Sequence, residues 1–194
     1  MKRMLFTLAL SAAAAMPAMA ALKAGAVAPE FSAQASLAGK AFDFVLADAL
    51  KKGPVVVYFY PSAFTGGCNI QAHTFAVHKA DFDAAGASII GVSLDSITRL
   101  NAFSADPNYC GGKVAVASDA NGSIAKSYEL KVETASEPVK DTRGVIVDHA
   151  FAERTTFIVT PDHKIHATIG GMAPAANVEA ALKSVRELAA AHGK

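Results

Sequence analysis

Pro54-Val-Val-Val-Tyr-Phe-Tyr60 is a continuous run of β-branched and aromatic residues. Such a run predicts a strand that is buried on both faces of a sheet, and Pro61 ends it. A short loop follows, and from Cys68 to Ala85 apolar and polar residues alternate as in a helix that stops before Gly86. This stretch therefore predicts a central strand that delivers Cys68 to the beginning of a helix.

Apolar runs alternate with amphipathic patterns along the rest of the chain, which predicts an α/β domain. Pro161-Asp162 lies between two strand patterns and indicates a hairpin. The order of elements suggests a thioredoxin-like fold, with a central mixed sheet flanked by helices and an N-terminal extension. Strands are predicted at residues 42–45, 87–94, 113–118, 155–159 and 164–169, further helices at 46–51, 96–105, 122–130 and 177–190, and a long connection at 131–150.

The N-terminal residues have the pattern of an export signal. Lys2 and Arg3 give a basic start, residues 4–15 are almost wholly apolar, and residues 18–20 are the small-x-small pattern that signal peptidase cleaves. The apolar run is too short for a membrane-spanning helix of about 20 residues; a buried N-terminal helix is the alternative. We expect residues 1–20 to be a signal peptide and the protein to be exported to the periplasm.

The remaining residues, 21–194, are expected to form one domain, which can bury about 70% of the surface of its unfolded chain without a disulfide framework. Loss of Lys2 and Arg3 changes the formal charge from +1 to about −1. A nearly neutral chain lacks the basic excess that nucleic-acid binding requires. We therefore expect neither a nucleic-acid partner nor a stable membrane association.

The histidines are not spaced as metal ligands. Two of them, five residues apart on one predicted helix, are separated by about 140° around its axis, and another pair crosses a predicted turn. We expect no metal. The six histidines are His73, His78, His149, His163, His166 and His192.

Cys68 and Cys110 are the two cysteines of the chain. A single structural disulfide is one interpretation, and a reactive thiol at Cys68 is the other, since the beginning of a helix favours a thiolate. Ionising about 90% of a thiol at neutral pH requires about 3.4 kcal/mol of preferential stabilisation of the anion. One helix terminus supplies about 0.3 to 2 kcal/mol, so a cation is expected near Cys68.

The segment from Tyr58 to Cys68 resembles the active-site segment of the peroxiredoxins, specifically the bacterioferritin-comigratory-protein (Q-type) subfamily of the AhpC/TSA-like proteins. Pro61, Thr65 and Cys68 match the family pattern of Pro, three residues, Thr or Ser, two residues, Cys. The resemblance extends over about residues 25–190. Further segments follow in the family's order: Val92-Ser93 with Asp95-Ser96, Ser118-Asp119 before a helix, and Arg154-Thr155-Thr156-Phe157-Ile158 before a hairpin.

The resemblance implies a thiol-dependent peroxidase that needs neither a metal nor an organic cofactor. Cys68 would be the peroxidatic nucleophile, which a hydroperoxide oxidises to a sulfenic acid. Thr65 would hydrogen-bond the peroxide and the thiolate, and it would also cap the helix. Arg154 would supply the expected cation and stabilise the leaving oxygen. Pro61 would shield the thiolate from water.

Several positions depart from the family pattern. Gln71 stands where Glu is common, and Gly66-Gly67 replaces the more usual Pro-Gly. His73 occupies the position at which many members carry their second cysteine, and the C-terminal Val-Cys-Pro motif is missing. Some Q-type members keep the resolving cysteine in the region of Cys110, so Cys110 is predicted to resolve the sulfenic acid in an intrachain disulfide. A passive Cys110 with a one-cysteine mechanism is the alternative.

Two other functions stay open at the level of sequence. A thiol-disulfide oxidoreductase of the same fold usually has two cysteines two residues apart, whereas residues 66–72 contain only Cys68. A binding module with an inert Cys68–Cys110 disulfide is the second. For the peroxidase, the expected partners are a hydroperoxide substrate and a thiol protein of unknown identity as reductant. The subfamily resemblance implies a monomer or a weak dimer.

Overall fold

The computed structural model describes residues 21–191 and Gly193. The predicted signal peptide, residues 1–20, lies outside the described residues. The strands are β1 (Ser32–Leu37), β2 (Lys40–Val45), β3 (Val55–Phe59), β4 (Ser88–Ser93), β5 (Ala115–Ser118), β6 (Val132–Glu133), β7 (Phe151–Ala152), β8 (Thr155–Val159) and β9 (Ile165–Gly170). The helices are α1 (Leu46–Leu50), α2 (Gly66–Val77), α3 (Lys79–Ala84), α4 (Ile97–Ala105), α5 (Ser123–Ser127) and α6 (Pro174–Ala191).

Seven strands form one mixed sheet in the order β2-β1-β5-β4-β3-β8-β9. β3 is parallel to β4 and antiparallel to β8, and β4 is parallel to β5. All five residues of β3 are buried, because alternate side chains enter two separate apolar cores. Helices α2, α3, α4 and α6 cover one face, and α1, α5 and the N-terminal segment cover the other. The prediction of a central mixed sheet flanked by helices is confirmed.

Four details of the sequence interpretation were wrong. β1 was missed, although it pairs with β2 along its full length. The helix of Cys68 begins two residues earlier, at Gly66, and it ends at Val77, so that the single helix predicted to Ala85 is two helices. Val77, the last residue of α2, is 61% exposed. The predicted connection from residue 131 contains β6, which pairs with β7.

A buried carboxylate holds the loop that joins β3 to α2. Asp95 follows β4 and is fully buried. One of its oxygens accepts the backbone N–H of Ala63 at 2.7 Å, and the other accepts the hydroxyl of Ser62 at 3.0 Å. Arg99 donates to the same carboxylate at 2.8 Å and to the carbonyl oxygen of Ala63 at 2.8 Å. The loop is therefore fixed to β4 and α4 three to four residues before α2.

The segment around residues 141–149 closes over the same loop. Thr142 donates both its backbone N–H and its hydroxyl to the carbonyl oxygen of Phe64, at 2.9 and 2.8 Å. Phe64 has a positive φ of 61°, which is unusual for a bulky residue and is maintained here by these contacts. The guanidinium of Arg143 lies 3.3 Å from the centre of the Phe64 ring, and Arg143 also pairs with the buried Asp141.

His149 completes this attachment. Its Nε2 lies 2.9 Å from Asp95 Oδ1 and its Nδ1 lies 2.7 Å from the carbonyl oxygen of Ala150. Both ring nitrogens face acceptors, so the protonated ring can donate to both. Burial by itself lowers the pKa of His149, but the hydrogen bonds to Asp95 and Ala150 and the charge of Asp95 outweigh it, and the pKa is raised. The pKa of Asp95 is lowered, because His149 and Ala63 outweigh the effect of its burial.

We predict that the His149–Asp95 pair makes the free energy of unfolding decrease as the pH rises through the pKa of His149 in the folded protein. A raised pKa in the folded state means that the contribution of His149 is complete below its unfolded value of about 6.5. The contribution is lost as the pH rises through the folded value. His149→Gln should lower the free energy of unfolding by about 1.5 to 3 kcal/mol at pH 6, the usual loss for a hydrogen bond to a charged group. The difference should shrink by pH 9.

Urea unfolding of wild type and variant between pH 5.5 and 9 measures this difference. His166→Gln is the matched control, because His166 is exposed on β9. An equal loss at pH 6 and pH 9 would show that His149 stabilises the loop by packing rather than by charge.

Candidate active site

Cys68 lies in the first turn of α2, beyond the carboxyl end of the central strand β3. Its side chain is almost completely buried, with 2% of its surface exposed. Unpaired backbone N–H groups and the positive end of the helix dipole lie at this end of α2, and both favour a thiolate. The predicted placement of Cys68 in the first turn of a helix is therefore confirmed.

Arg154 supplies a cation at Cys68. Its Nη2 donates a hydrogen bond to Cys68 Sγ at 3.3 Å. The strand register explains this contact: Phe59 at the end of β3 pairs with Thr155 at the beginning of β8, and Arg154 directly precedes Thr155. A residue before β8 is therefore placed beside the loop after β3. The expectation of a cation next to the thiol is confirmed.

Gly67 is needed for this close approach. A Cβ atom at that position would lie 3.2 Å from Arg154 Nη2 and 3.3 Å from Pro174 Cγ at the beginning of α6. Any larger residue would displace the guanidinium or the helix. Gly67, which matches the Gly of the family's more usual Pro-Gly pair, thus has a steric role, whereas a Cβ atom at Gly66 would meet nothing within 4 Å.

Gln71 holds the other side of the guanidinium. It is fully buried one turn after Cys68, and its Oε1 accepts a hydrogen bond from Arg154 Nη1. Its Nε2 donates to Asn177 Oδ1 at 3.0 Å. Asn177 is fully buried in α6 and was not recognised in the sequence. A polar residue on the apolar stripe of Val178 and Ala181 was the available signal.

Thr65 is the residue before α2, but its side chain does not cap the helix. Its hydroxyl donates instead to the carbonyl oxygen of Ser62 at 2.8 Å. The expected capping hydrogen bond was therefore wrong. Because a hydroxyl has one proton and two lone pairs, Thr65 Oγ1 keeps the capacity to accept. Pro61 is half-buried two residues after the end of β3, and its shielding role stays a prediction.

Cys110 is a free thiol, as is Cys68. It is completely buried in the turn after α4, where Gly111 and Gly112 have positive φ angles of 58° and 68°. Burial, with a smaller contribution from the charge of Asp106, raises the pKa of the Cys110 thiol far above its usual value. Cys110 and Cys68 belong to the same apolar core. As folded, Cys110 is protonated and shielded from solvent.

Aromatic rings fill the core near both cysteines. Phe64, which precedes the Cys68 helix, meets Tyr109 edge to face with 5.5 Å between ring centres. Phe103 stacks on Tyr109 at 5.3 Å and contacts Phe64 edge to face at 5.0 Å. The active-site loop and the Cys110 turn therefore meet through one aromatic cluster.

The described residues contain no group of His, Cys, Asp or Glu side chains arranged to hold a metal ion. Among the same residues, no helix combines the length and the apolar character that crossing a membrane requires.

Comparison with known proteins relates this site to one family. Residues 24–168 match the model of the AhpC/TSA family. The chloroplastic 2-Cys peroxiredoxin BAS1 of Hordeum vulgare is 28% identical over 84% of this chain and 74% of its own length.

Two solved structures are similar over most of the chain. The crystal structure of peroxidoxin BcpB from Mycobacterium tuberculosis has a TM-score of 0.71 and 25% identity, covering 86% of this chain and 98% of that one. Peroxiredoxin Q of Xanthomonas campestris has a TM-score of 0.64 and 27% identity, covering 80% of this chain and 90% of that one. The prediction of a thioredoxin-like fold is confirmed. The match to the family model covers more than half of the chain, and the chain therefore belongs to the AhpC/TSA family as a peroxiredoxin, a thiol-dependent peroxidase.

Proposed function

We propose that Cys68 is the nucleophile of this peroxidase. The observation that carries the proposal is the 3.3 Å hydrogen bond from Arg154 to the Cys68 sulfur in the first turn of α2. The thiolate attacks one oxygen of a hydroperoxide, so that an S–O bond forms and the O–O bond breaks. Cys68 is oxidised to a sulfenic acid. The second oxygen leaves with the electron pair of the O–O bond and takes up a proton, giving water or an alcohol.

Arg154 stabilises charge before and during this step. Its guanidinium lies beside the Cys68 sulfur. Because this group is planar and has several N–H donors, it can hydrogen-bond the sulfur and an oxygen of the incoming peroxide at the same time. Negative charge moves from sulfur to the leaving oxygen in the transition state. A donor that is already in place needs no reorganisation when that charge develops.

Thr65 orients the peroxide as an acceptor. Its only proton is engaged with the Ser62 carbonyl oxygen, so its lone pairs face outward for the O–H of a hydroperoxide. The site thus offers a donor, Arg154, beside the Cys68 sulfur and an acceptor, Thr65, three residues before Cys68 in the chain. Such a pair aligns the O–O bond for displacement. Pro61, two residues after the end of β3, is proposed to limit the access of water to the thiolate.

Cys110 is proposed to resolve the sulfenic acid. Its thiol loses a proton, its sulfur attacks the Cys68 sulfur, and the S–O bond breaks with loss of water, leaving an intrachain disulfide. The raised pKa of the buried thiol opposes this step in place. The beginning of α2 and the 106–112 turn must therefore open before the two sulfurs meet.

The wider setting of the enzyme is proposed from the sequence. The resemblance of the Tyr58–Cys68 segment supports the Q-type subfamily, and the pattern of residues 1–20 supports export to the periplasm. A thiol protein would then reduce the disulfide and return both cysteines to the thiol form. The protein is proposed to act as a monomer or a weak dimer.

Peroxide consumption in a single turnover tests the proposed function. Reduced wild type mixed with one equivalent of hydrogen peroxide should consume it, and Cys68→Ser should consume none. Cys110→Ser should still consume one equivalent, because the first step does not need Cys110. Thiol-disulfide exchange without peroxide loss would support the oxidoreductase alternative. Neither activity would support a binding module.

Arg154 and Thr65 should contribute mainly to the transition state. Arg154→Lys and Thr65→Val should each lower the rate constant for sulfenic acid formation by about 10²-fold, the usual effect of losing a group that stabilises developing charge. Stopped-flow measurement of Cys68 oxidation gives this constant. Thr65→Ser is the control that keeps the hydroxyl. An unchanged rate in Arg154→Lys would show that the fixed fork of the guanidinium is not required.

Mass spectrometry of peroxide-treated protein tests the role of Cys110. After one equivalent of peroxide, proteolytic peptides should contain Cys68 linked to Cys110 within one chain. Cys110→Ser should instead hold Cys68 as a sulfenic acid that dimedone labels. Persistent sulfenic acid in wild type with a free Cys110 thiol, or a link between two chains, would contradict intrachain resolution.

A further inference from the structure

Three completely buried polar side chains connect the active-site arginine to the β8–β9 hairpin. Gln71 lies in α2, Thr156 in β8 and Asn177 in α6, and each is 0% exposed. Buried polar groups are costly unless they are hydrogen-bonded, and these three satisfy one another. We refer to Gln71, Asn177 and Thr156 as the amide relay.

The two ends of the amide relay have fixed polarity. At one end Asn177 Nδ2 meets the backbone carbonyl oxygen of Ile169 at 2.9 Å, and a carbonyl can only accept. At the other end Gln71 meets Arg154, and a guanidinium can only donate. Every hydrogen bond between these ends therefore runs in one direction.

The orientation of each amide follows from that direction. The Ile169 carbonyl holds the Asn177 nitrogen, so Asn177 Oδ1 faces inward and accepts from Thr156 Oγ1 at 2.6 Å and from Gln71 Nε2 at 3.0 Å. Two donors fill the two lone pairs of that oxygen. With its nitrogen engaged, Gln71 has its oxygen on the side of the guanidinium.

We propose that Asn177 and Thr156 are positioning residues of the peroxidase, acting through Gln71 to hold Arg154 against Cys68. This inference rests on the proposed roles of Cys68 and Arg154. With a glutamine at position 71, the orientation of the side chain has to be fixed. A carboxylate presents an oxygen in either orientation, whereas an amide turned by 180° presents two N–H donors to a guanidinium. The relay excludes that second orientation.

A neutral acceptor has an electrostatic consequence for the thiolate. Gln71 orients Arg154 without neutralising it, so the positive charge of the guanidinium acts on Cys68 Sγ. A carboxylate at the same place would compete with the thiolate for that charge. The amide relay thus orients the guanidinium of Arg154, and the positive charge of the guanidinium remains available to stabilise the Cys68 thiolate.

The relay also joins the elements that have to stay in register. Gln71 belongs to the helix of Cys68, Thr156 to the strand that follows Arg154, and Asn177 to α6. A small shift of the guanidinium relative to the sulfur is enough to slow a positioned reaction. The three side chains hold Arg154 and Cys68 at fixed positions relative to each other.

A double-mutant cycle tests whether Thr156 acts through Gln71. Thr156→Val keeps the shape of the side chain and removes its hydroxyl, and Gln71→Met keeps the length and removes the amide. We expect each single change to lower the rate constant of Cys68 oxidation by about tenfold. In the Gln71→Met background, Thr156→Val should change the rate less than about twofold, since the route through Gln71 is already lost.

Thr168→Val is the matched control. Thr168 lies on the neighbouring strand β9 and donates to the carbonyl oxygen of Leu22 at 2.6 Å, away from the relay. Its rate constant and the pH profile of that constant should equal those of wild type, whereas the profile of Thr156→Val should shift to higher pH. Equal losses from Thr156→Val in both backgrounds, or no loss in either, would overturn the proposal.

A readout independent of activity separates this inference from the proposed function. The side-chain amide resonances of Gln71 and Asn177 should be protected from hydrogen exchange in wild type. Thr156→Val should move the Gln71 resonance, and Thr168→Val should leave it in place. A wild type that does not react with peroxide would overturn the role of Cys68, while a Gln71 amide that is unaffected by Thr156→Val would overturn the relay itself.

Discussion

A thiolate at a position that is only 2% exposed would need a fixed positive charge beside it, and Arg154 donates a hydrogen bond to the Cys68 sulfur. The dipole of α2 alone supplies too little stabilisation. The cation comes from a residue 86 positions away in sequence, so the sheet has to bring the two together. The antiparallel pairing of Phe59 with Thr155 does so, because the carboxyl end of β3 lies beside the beginning of β8.

Holding the arginine in place constrains residues that have no chemistry of their own. Gly67 must lack a side chain, since a Cβ atom would lie 3.2 Å from the guanidinium. Gln71 must present an oxygen, and Asn177 fixes which way its amide points. A second polar network, centred on Asp95 and His149, holds the loop before Cys68 from the other side. Electrostatic stabilisation of one sulfur thus extends through several elements of the fold.

The parts predictable from sequence are those with a local pattern. The continuous apolar run of β3, the helix at Cys68 and the strand after Arg154 each have one, and the family resemblance added the pairing of Arg154 with the thiol. Asn177 shows in the sequence only as a polar residue on an apolar stripe, and His149 has no local pattern, because the roles of both depend on which elements the fold brings together. The break between α2 and α3 at His78 could not be predicted either. His78 pairs with Asp81 in the next helix, and the periodicity of apolar residues does not predict that contact.

The same contacts that stabilise the thiolate oppose the later steps of the cycle. Cys110 is buried in its turn with a raised pKa, and the aromatic cluster of Phe64, Phe103 and Tyr109 holds that turn against the active-site loop. In the proposed mechanism, oxidation of a Cys68 thiolate removes the negative charge that attracts Arg154, because a sulfenic acid is neutral when protonated. The ion-pair contribution then disappears while the cost of burial remains. In the proposed mechanism, local opening of α2 is therefore less costly after the chemical step than before it, which favours the approach of Cys110 to the sulfenic acid.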